Sequence, residues 1–363
     1  IGGYPVTIPG GGTISKIPGE YESVEDGLVI YITNGEEITD WNADTNSNGI
    51  LDVQENYDQF VWIPVNKETA IIEEGKEITG STDTEKYNSL KNYVSSIESP
   101  TNGASKYPMA VKITNEDGSV AYKGILYDFI INYGKVNITP KDYTLASGYR
   151  EPDVVNYDSV NNIVTEDSLK EEFKTMIEKV ATKGGFWVGR YETTNMNSTD
   201  FSTNAVDVVR GTKNGINSVN WYKMYEGQKE YKNTISSSLG TTSSMIWGSQ
   251  WDQVMIWMKD VRNNIKNSYY IVDAEGMANF GDISGIDDGY ESLAETGCFN
   301  VKNIYDMAGN IYEWSLETWE VRYRTDRGGN YDTKYATSTY ASYRHYREPS
   351  TSGGYYGSRM TLY

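Results

Sequence analysis

The most distinctive segment of this 363-residue chain reads Asn303-Ile304-Tyr305-Asp306-Met307-Ala308-Gly309-Asn310-Ile311-Tyr312-Glu313-Trp314. Two shorter motifs follow it, Arg327-Gly328-Gly329-Asn330-Tyr331 and Gly357-Ser358-Arg359. Four aromatic blocks precede it in the chain: Phe60–Val65, Trp187–Thr194, Ser218–Tyr222 and Trp247–Trp251. Between these blocks lie long stretches with many Gly, Asn and Asp turns and no clear periodicity. This pattern indicates a loop-rich α+β domain, not a helical bundle or a parallel sheet.

In this order, the motifs resemble the formylglycine-generating-enzyme (sulfatase-modifying factor) domain, a branch of the C-type lectin fold. The resemblance covers residues 58–65 and 184–363. It implies an α+β, loop-rich C-type lectin-like fold of the formylglycine-generating-enzyme type, with a long insertion at about 66–180. We therefore expect a Gly/Pro-rich N-terminal segment over residues 1–57 and one lectin-like domain over residues 58–363.

Local patterns predict several individual elements. Residues Leu169, Phe173, Met176, Ile177 and Val180 recur at helical spacing, which predicts a helix over Asp167–Val180 with Gly184-Gly185 as its C-terminal stop. Two other helices are predicted over Tyr87–Ile97 and Trp251–Val261. Continuous apolar or aromatic runs predict strands over Leu28–Ile32, Phe60–Val65 and Phe186–Glu192.

Cysteine and histidine are too scarce for the chemistry of the enzymes in this family. The chain has one of each, Cys298 and His345. The resemblance implies two nearby cysteines for a copper-dependent oxidase, and several histidines for the related iron-dependent branch that forms sulfur–carbon bonds. Neither ligand set is present, so we expect a domain that is not an enzyme.

The charge balance argues against nucleic-acid binding. There are 51 acidic and 32 basic side chains, for a formal net charge of −19, and an acidic surface repels phosphate. Residues 327–363 differ, with five basic and two acidic side chains, which predicts a weakly basic tip on an acidic body. No run of 18 apolar residues exists, so no membrane span is expected.

A calcium loop is predicted near the N-terminus. Residues 44–55 match the pattern D-x-[DN]-x-[DN]-G-x5-E at every defined position, with Gly49 at the sharp turn. Clear flanking helices are missing, so we expect a structural calcium site that ties the N-terminal segment to the domain. The alternative is an ordinary Asn/Asp-rich turn. The predicted ligands are Asp44, Asn46, Asn48, the carbonyl of Ile50, Asp52 and Glu55.

The family resemblance implies two further structural calcium sites. The first would use the side chains of Asp306 and Glu313 with the carbonyls of Gly309 and Ile311. The second would use the side chains of Asn279 and Asp288 with the carbonyls of Phe280 and Tyr290. Hard oxygen ligands of this kind suit calcium. An ordinary turn network of Asp, Asn and Glu is the alternative at each site.

The C-terminal segment, about 327–359, has the composition of an antibody combining site. Residues 327–363 hold eight Tyr, five Ser, five Thr and five Gly, without Ile, Val, Phe, Trp or Cys. Composition alone fits either a recognition surface or an aromatic edge of a β-domain. Within the superfamily, this segment resembles the variable proteins of diversity-generating retroelements, in which template adenines are mutagenised, often at Asn AAC codons.

The resemblance implies which residues vary and contact ligand. Mutating the first two bases of AAC cannot give Lys, Glu, Gln, Met or Trp, so Lys334, Glu348 and Met360 are expected to be fixed. The closing segment, 357–363, resembles a constant framework in which Arg359 makes a buried ion pair. The expected ligand-contacting residues are Tyr331, Asp332, Tyr335, Thr337, Tyr340, Tyr343, His345, Tyr346, Arg347, Thr351, Gly353, Gly354, Tyr355 and Tyr356.

The sequence therefore predicts a hypervariable, receptor-like or adhesin-like binding protein on a calcium-stabilised scaffold. Its expected partner is a protein or glycan on another cell or on a virus. Two alternatives stay open: a degenerate oxidase of the formylglycine-generating type, and a structural pilus or tail-fibre subunit. The chain begins at Ile1, not Met, so we expect a trimmed chain that has lost its anchor. Its expected place is extracellular, at a cell surface or on a phage particle.

Overall fold

The computed structural model describes residues 27–32, 38–66, 81, 110–114, 120–124, 126–127, 130, 149–151, 154–156, 158, 164–195, 206–209, 219–239, 241–259, 300–307, 309–330 and 344–363. The predicted helix over Tyr87–Ile97 lies outside these residues. So do Asn279, Phe280, Asp288 and Tyr290, and six of the expected ligand-contacting residues between 331 and 343. Within the described part of the chain, no helix has the length and apolar character that crossing a membrane requires.

Five strands form an antiparallel sheet in the order β1-β2-β6-β16-β9. The strands of this first sheet are β1 (Val29–Ile32), β2 (Asp58–Pro64), β6 (Gly185–Gly189), β9 (Ser243–Met245) and β16 (Met360–Leu362). The predicted strands at 28–32, 60–65 and 186–192 thus lie side by side in it. The last strand, β16, lies between β6 and β9, so the end of the chain is held inside the sheet.

A second sheet has the order β14-β13-β12-β15, and β5 pairs with β12. Its strands are β5 (Tyr149–Arg150), β12 (Tyr312–Trp319), β13 (Tyr323–Arg327), β14 (Arg344–Arg347) and β15 (Tyr356–Ser358). The β12–β15 pair is parallel, whereas β12–β13 and β13–β14 are antiparallel. Three small antiparallel pairs complete the described strands: β3 (Ala110–Thr114) with β4 (Val120–Gly124), β7 (Thr194–Asn195) with β8 (Val206–Asp207), and β10 (Asn300–Val301) with β11 (Ile304–Tyr305).

The helices are α1 (Asp52–Asn56), α2 (Glu166–Lys183), α3 (Trp221–Leu239) and α4 (Gly248–Lys259). The prediction for α2 is confirmed: the five apolar residues named from their spacing are its buried residues. Thr165 and Ser168 form a capping box at its start, and Gly184 ends it with φ 76°. The predicted helix at Trp251 begins at Gly248 instead.

The main core combines α2, α3, α4 and both sheets. Trp221, Trp247, Trp251 and Trp314 are fully buried in it, and Phe173 of α2 meets Trp247 edge-on at 5.1 Å. Residues 164–180, which the sequence assigned to an insertion, therefore contribute to this core. The N-terminal strand β1 pairs with β2 across the predicted boundary at residue 57. In this α+β arrangement, one end of the second sheet lies at the surface.

Candidate ligand-binding face

A row of aromatic rings crosses the second sheet where β14 reaches the surface. At one end, the rings of Trp319 and Tyr346 stack with centroids 3.7 Å apart and planes 22° apart. Tyr323 lies 5.2 Å from Tyr346 and 5.7 Å from Trp319. Strand register produces this cluster, because Trp319 pairs with Tyr323, and Thr325 pairs with Tyr346 on the next strand. Tyr346 is 37% exposed.

The row continues from Tyr346 into the protein. Its ring lies 5.8 Å from His345, whose ring stacks on Tyr312 at 5.4 Å. Tyr312 in turn stacks on Tyr356 at 5.7 Å, and Tyr356 lies 5.1 Å from the buried Trp314. His345 also meets the buried carboxylate of Asp326 through Nδ1 at 3.1 Å. The exposed rings are thus continuous with the core, a rigid arrangement that needs little reorganisation to bind a ligand.

Below the row, two arginines of neighbouring strands form a closed square of ion pairs with two acids; we call it the arginine box. Arg327 reaches Glu317 at 3.1 Å and Asp252 at 2.7 Å, and Arg344 reaches the same acids at 2.8 and 2.7 Å. All four side chains are buried. The fit is tight: a Cβ on Gly248 would lie 2.5 Å from the Glu317 carboxylate. The box fixes the end of β13 and the start of β14.

A third carboxyl group borders the arginine box. Glu151 accepts a hydrogen bond from the backbone N–H of Ser249 at 2.8 Å, near the start of α4. Burial, followed by the neighbouring charges of Glu317 and Asp252, raises the pKa of Glu151 to about 8. At neutral pH its protonated form adds no third negative charge, so the box stays balanced between two arginines and two carboxylates.

Three of the five basic residues behind the predicted basic tip do not contribute charge to the surface. Of the basic residues in 327–363, Arg327, Arg344 and Arg359 are buried and paired with acids. Their charges are neutralised inside the protein. At the surface near the row, Arg322 lies 3.7 Å from Glu348, and Arg347 is exposed. Formal charge along the sequence therefore overstates the charge that this face presents.

The structure brings together part of the expected ligand-contacting set. His345 is half-buried, Tyr346 and Arg347 are exposed on β14, and Tyr355 is 40% exposed. Tyr356 differs, because it is only 7% exposed and stacks in the core. Its hydroxyl accepts a hydrogen bond from Nε of Arg347 at 3.0 Å. Thr351, Gly353 and Gly354 are half-buried in the loop before β15.

Sequence reasoning missed three rings of the row. Tyr312, Trp319 and Tyr323 precede the segment expected to vary, and no motif marks them as surface residues. The available signal was their position at the ends of two adjoining strands. Trp319 and Tyr323 flank a tight turn in which Glu320 has φ 55° and Val321 is 48% exposed. A hairpin end of this kind places both rings beside β14.

Arg359 forms the buried ion pair that the family resemblance implied. Its guanidinium donates to both carboxylate oxygens of Glu313, the shortest bond being 2.7 Å, and to the carbonyls of Gly189 and Tyr305 at 2.9 and 2.8 Å. The residue lies between β15 and β16, where the chain passes from the second sheet to the first. One side chain therefore links β6, β11 and β12.

The calcium loop at 44–55 folds into a compact ring. The Asp44 carboxylate accepts from the backbone N–H groups of Asn48 and Gly49 at 3.1 and 3.0 Å. Both oxygens of Glu55 accept from the side-chain amides of Asn46 and Asn48. Asp52 accepts from Thr45 at 3.0 Å. The side-chain oxygens of loop positions 1, 3, 5, 9 and 12 thus accept hydrogen bonds from within the loop, with Gly49 at φ 83°, and the three acids Asp44, Asp52 and Glu55 are not grouped as a metal site.

At the predicted site around 306–313, the fit to calcium is partial. Asp306, Gly309, Ile311 and Glu313 are all buried there. Glu192 adds a carboxylate that accepts from Asn310, while its Oε1 has no hydrogen-bond partner. Burial, followed by the charges of Glu313 and Asp306, raises the pKa of Glu192 well above its ordinary value, so a bound proton, as well as a cation, can balance the three acids near one arginine. Both oxygens of Glu313, however, already accept from Arg359. Among the described residues, no group of three His, Cys, Asp or Glu has metal-binding geometry.

Comparisons with known proteins give only distant similarities. No protein-family model matches the chain, and no curated protein sequence does. Among solved structures, Treponema denticola variable protein 1 is similar, with 12% identity and a TM-score of 0.32 over 49% of this chain and 84% of that one. CarF (14%, TM-score 0.35, 49% and 85%) and PvdO from Pseudomonas aeruginosa (16%, TM-score 0.28, 49% and 80%) are also similar. These scores are low, and each likeness covers half of the chain.

Proposed function

We propose that this chain is a non-catalytic binding protein whose C-terminal segment is diversified by a retroelement and displayed on a lectin-like scaffold. The proposed ligand is carried by another cell or by a virus, and the proposed place of the protein is a cell surface or a phage particle. The observation that carries this proposal is the aromatic row, in which the exposed ring of Tyr346 on β14 adjoins side chains that are packed into the core.

The division between locked and exposed residues supports this proposal. Within β14, Arg344 is 2% exposed and held by Asp252 and Glu317, whereas Tyr346 and Arg347 face solvent. Substitutions at such exposed sites usually change the free energy of unfolding by only about ±0.5 kcal/mol. Because the Arg344 side chain holds this strand and those of Tyr346 and Arg347 reach solvent, the strand can accept many side chains at the two exposed positions without losing its fold.

The DNA around the gene tests this function. We expect a near-copy of the DNA encoding residues 327–359 beside a reverse transcriptase, with mismatches confined to template adenines. The structure predicts where they fall: at codons for Tyr346, Arg347 and Tyr355, and not at those for Arg344 and Arg359, since changing either arginine would leave buried acids unpaired. A locus without a repeat, or mismatches concentrated at the two buried arginines, would contradict diversification.

We also propose that the loop at 44–55 binds calcium and so stabilises the N-terminal segment. The match of residues 44–55 to the calcium-loop pattern supports this, as does the packing of Ile50 and Val53 of the same loop, which are both buried. In the structure, the side-chain amides of Asn46 and Asn48 donate to Glu55. A calcium ion would take the place of those donors, held by the side-chain oxygens of Asn46, Asn48 and Glu55.

Removing calcium should lower the melting temperature by several degrees. A ligand present at about 100 times its Kd stabilises the folded state by about 2.7 kcal/mol. The measurement is a thermal melt in millimolar calcium and again with EDTA. Glu55→Gln is the matched variant: it should melt like the EDTA-treated wild type and respond little to EDTA. Identical melts of the wild type in both buffers would rule out a structural calcium ion in this loop.

A further inference from the structure

The exposed end of the aromatic row contains rings that lie outside the segment expected to vary. Trp319 and Tyr323 belong to β12 and β13, and they surround Tyr346 of β14. Stacking at 3.7 Å makes Trp319 and Tyr346 one continuous apolar surface. If Tyr346 varies between copies of this protein, Trp319 and Tyr323 stay as a constant floor under it. Trp and Tyr are the residue types that dominate binding energy at protein interfaces.

Arg347 adds a charged group beside this surface. It is exposed, and it forms no salt bridge within the described part of the chain, although acids outnumber bases by 19 overall. Its Nε is held by the Tyr356 hydroxyl at 3.0 Å, which orients the guanidinium. The other arginines around it are satisfied: Arg322 lies near Glu348, and Arg344 meets two buried acids. The buried Asp326 carboxylate acts on Arg347 electrostatically, but it pairs with His345 and forms no salt bridge with this arginine. The exposed, oriented guanidinium is therefore a docking point for the carboxylate of a ligand.

Building on the proposed function, we propose that this face binds a protein segment that presents a carboxylate next to an apolar side chain. The apolar side chain lies against Trp319 and Tyr346, and the carboxylate pairs with Arg347. The Trp–Tyr–Arg combination is typical of hot spots at protein interfaces. The protein carries an excess of acidic side chains, which repel an acidic ligand. Such a ligand is held only where an arginine faces it, so Arg347 is a specificity-determining residue.

Panning a phage library of random 12-residue peptides on the immobilised protein tests this assignment. Selected peptides should be enriched in Asp or Glu beside aromatic or aliphatic residues. Their affinity, measured by calorimetry with synthetic copies, should fall roughly tenfold or more for Arg347→Gln and for Trp319→Leu. Tyr346→Leu removes the other ring of the stacked pair from an exposed position. It keeps the test valid if Trp319→Leu unfolds.

Two matched controls remove similar groups close by. Arg322→Gln deletes an exposed arginine that already has Glu348 beside it, and Val321→Ala trims an exposed apolar residue of the same turn. Each should change the affinity by less than about threefold. Peptides without acidic enrichment, equal binding to Arg347→Gln, or selection of neutral glycans alone on a glycan array would overturn the proposal. The locus test of diversification is independent, so either proposal can fail while the other stands.

Discussion

Replacing Arg344 with methionine should lower the free energy of unfolding by about 3–5 kcal/mol. Arg344 holds one oxygen of Asp252 and one of Glu317, each within 2.8 Å, in a fully buried site. Methionine keeps the apolar stem but leaves two carboxylates facing a single arginine, Arg327. The uncompensated negative charge then has no water to screen it. Urea unfolding followed by tryptophan fluorescence would measure the loss.

The control for this experiment lies on the same strand. Arg347→Met removes an exposed arginine and should change stability by no more than about 0.5 kcal/mol. A second variant, Arg344→Met with Glu317→Gln, removes one charge of each sign and should recover part of the loss. If Arg344→Met and Arg347→Met were equally mild, the arginine box would not hold β14, and the separation of scaffold from ligand face would lose its main physical support.

Local sequence patterns were sufficient to predict several elements of the fold. The buried residues of helix α2 were predicted correctly, because apolar side chains that recur with a 3.6-residue period mark the buried face of a helix. Strands β1, β2 and β6 could be predicted because a short continuous run of apolar residues indicates a buried strand. A buried ion pair of Arg359 followed from a family resemblance, and the structure confirms it, with Glu313 as the partner that the resemblance had not named. Each of these features is local in sequence or belongs to a recognised motif.

The arginine box could not be predicted, because its partners are distant in the chain. Arg327 and Asp252 are 75 residues apart, and Arg344 and Asp252 are 92 apart. Counting charges along the sequence therefore treated buried arginines as a basic surface. The stacking of Trp319 on Tyr346 could not be predicted either, because it depends on the register of strands β12, β13 and β14. Composition drew attention to the segment that contains β14, but not to the rings of Trp319 and Tyr323 that lie beside it.

The largest loss of stability is expected from Arg359→Met. This change removes every hydrogen bond to Glu313 from Arg359 and leaves the carbonyls of Gly189 and Tyr305 without that donor. Breaking the ion pair alone costs about 3–5 kcal/mol, and each unsatisfied buried carbonyl adds about 1–3 kcal/mol. Since Arg359 joins the two sheets, the variant should unfold near room temperature. Arg359→Lys keeps the charge without the planar fork and should be intermediate.

The pH dependence of Arg359→Met distinguishes a charge effect from simple loss of packing. Burial already raises the pKa of Glu313, while Arg359 opposes the shift; Glu192 and Asp306 lie close enough to couple to it. Without the guanidinium, the folded-state pKa of Glu313 rises further above its unfolded value near 4.5. The carboxyl is then neutral in the folded variant at low pH, and stability is lost as pH rises through the raised pKa. The deficit against wild type should therefore be smaller at pH 5 than at pH 8. A deficit of equal size at both values would mean that Arg359 acts by filling space, and that the acidic cluster around Glu313 does not need its charge.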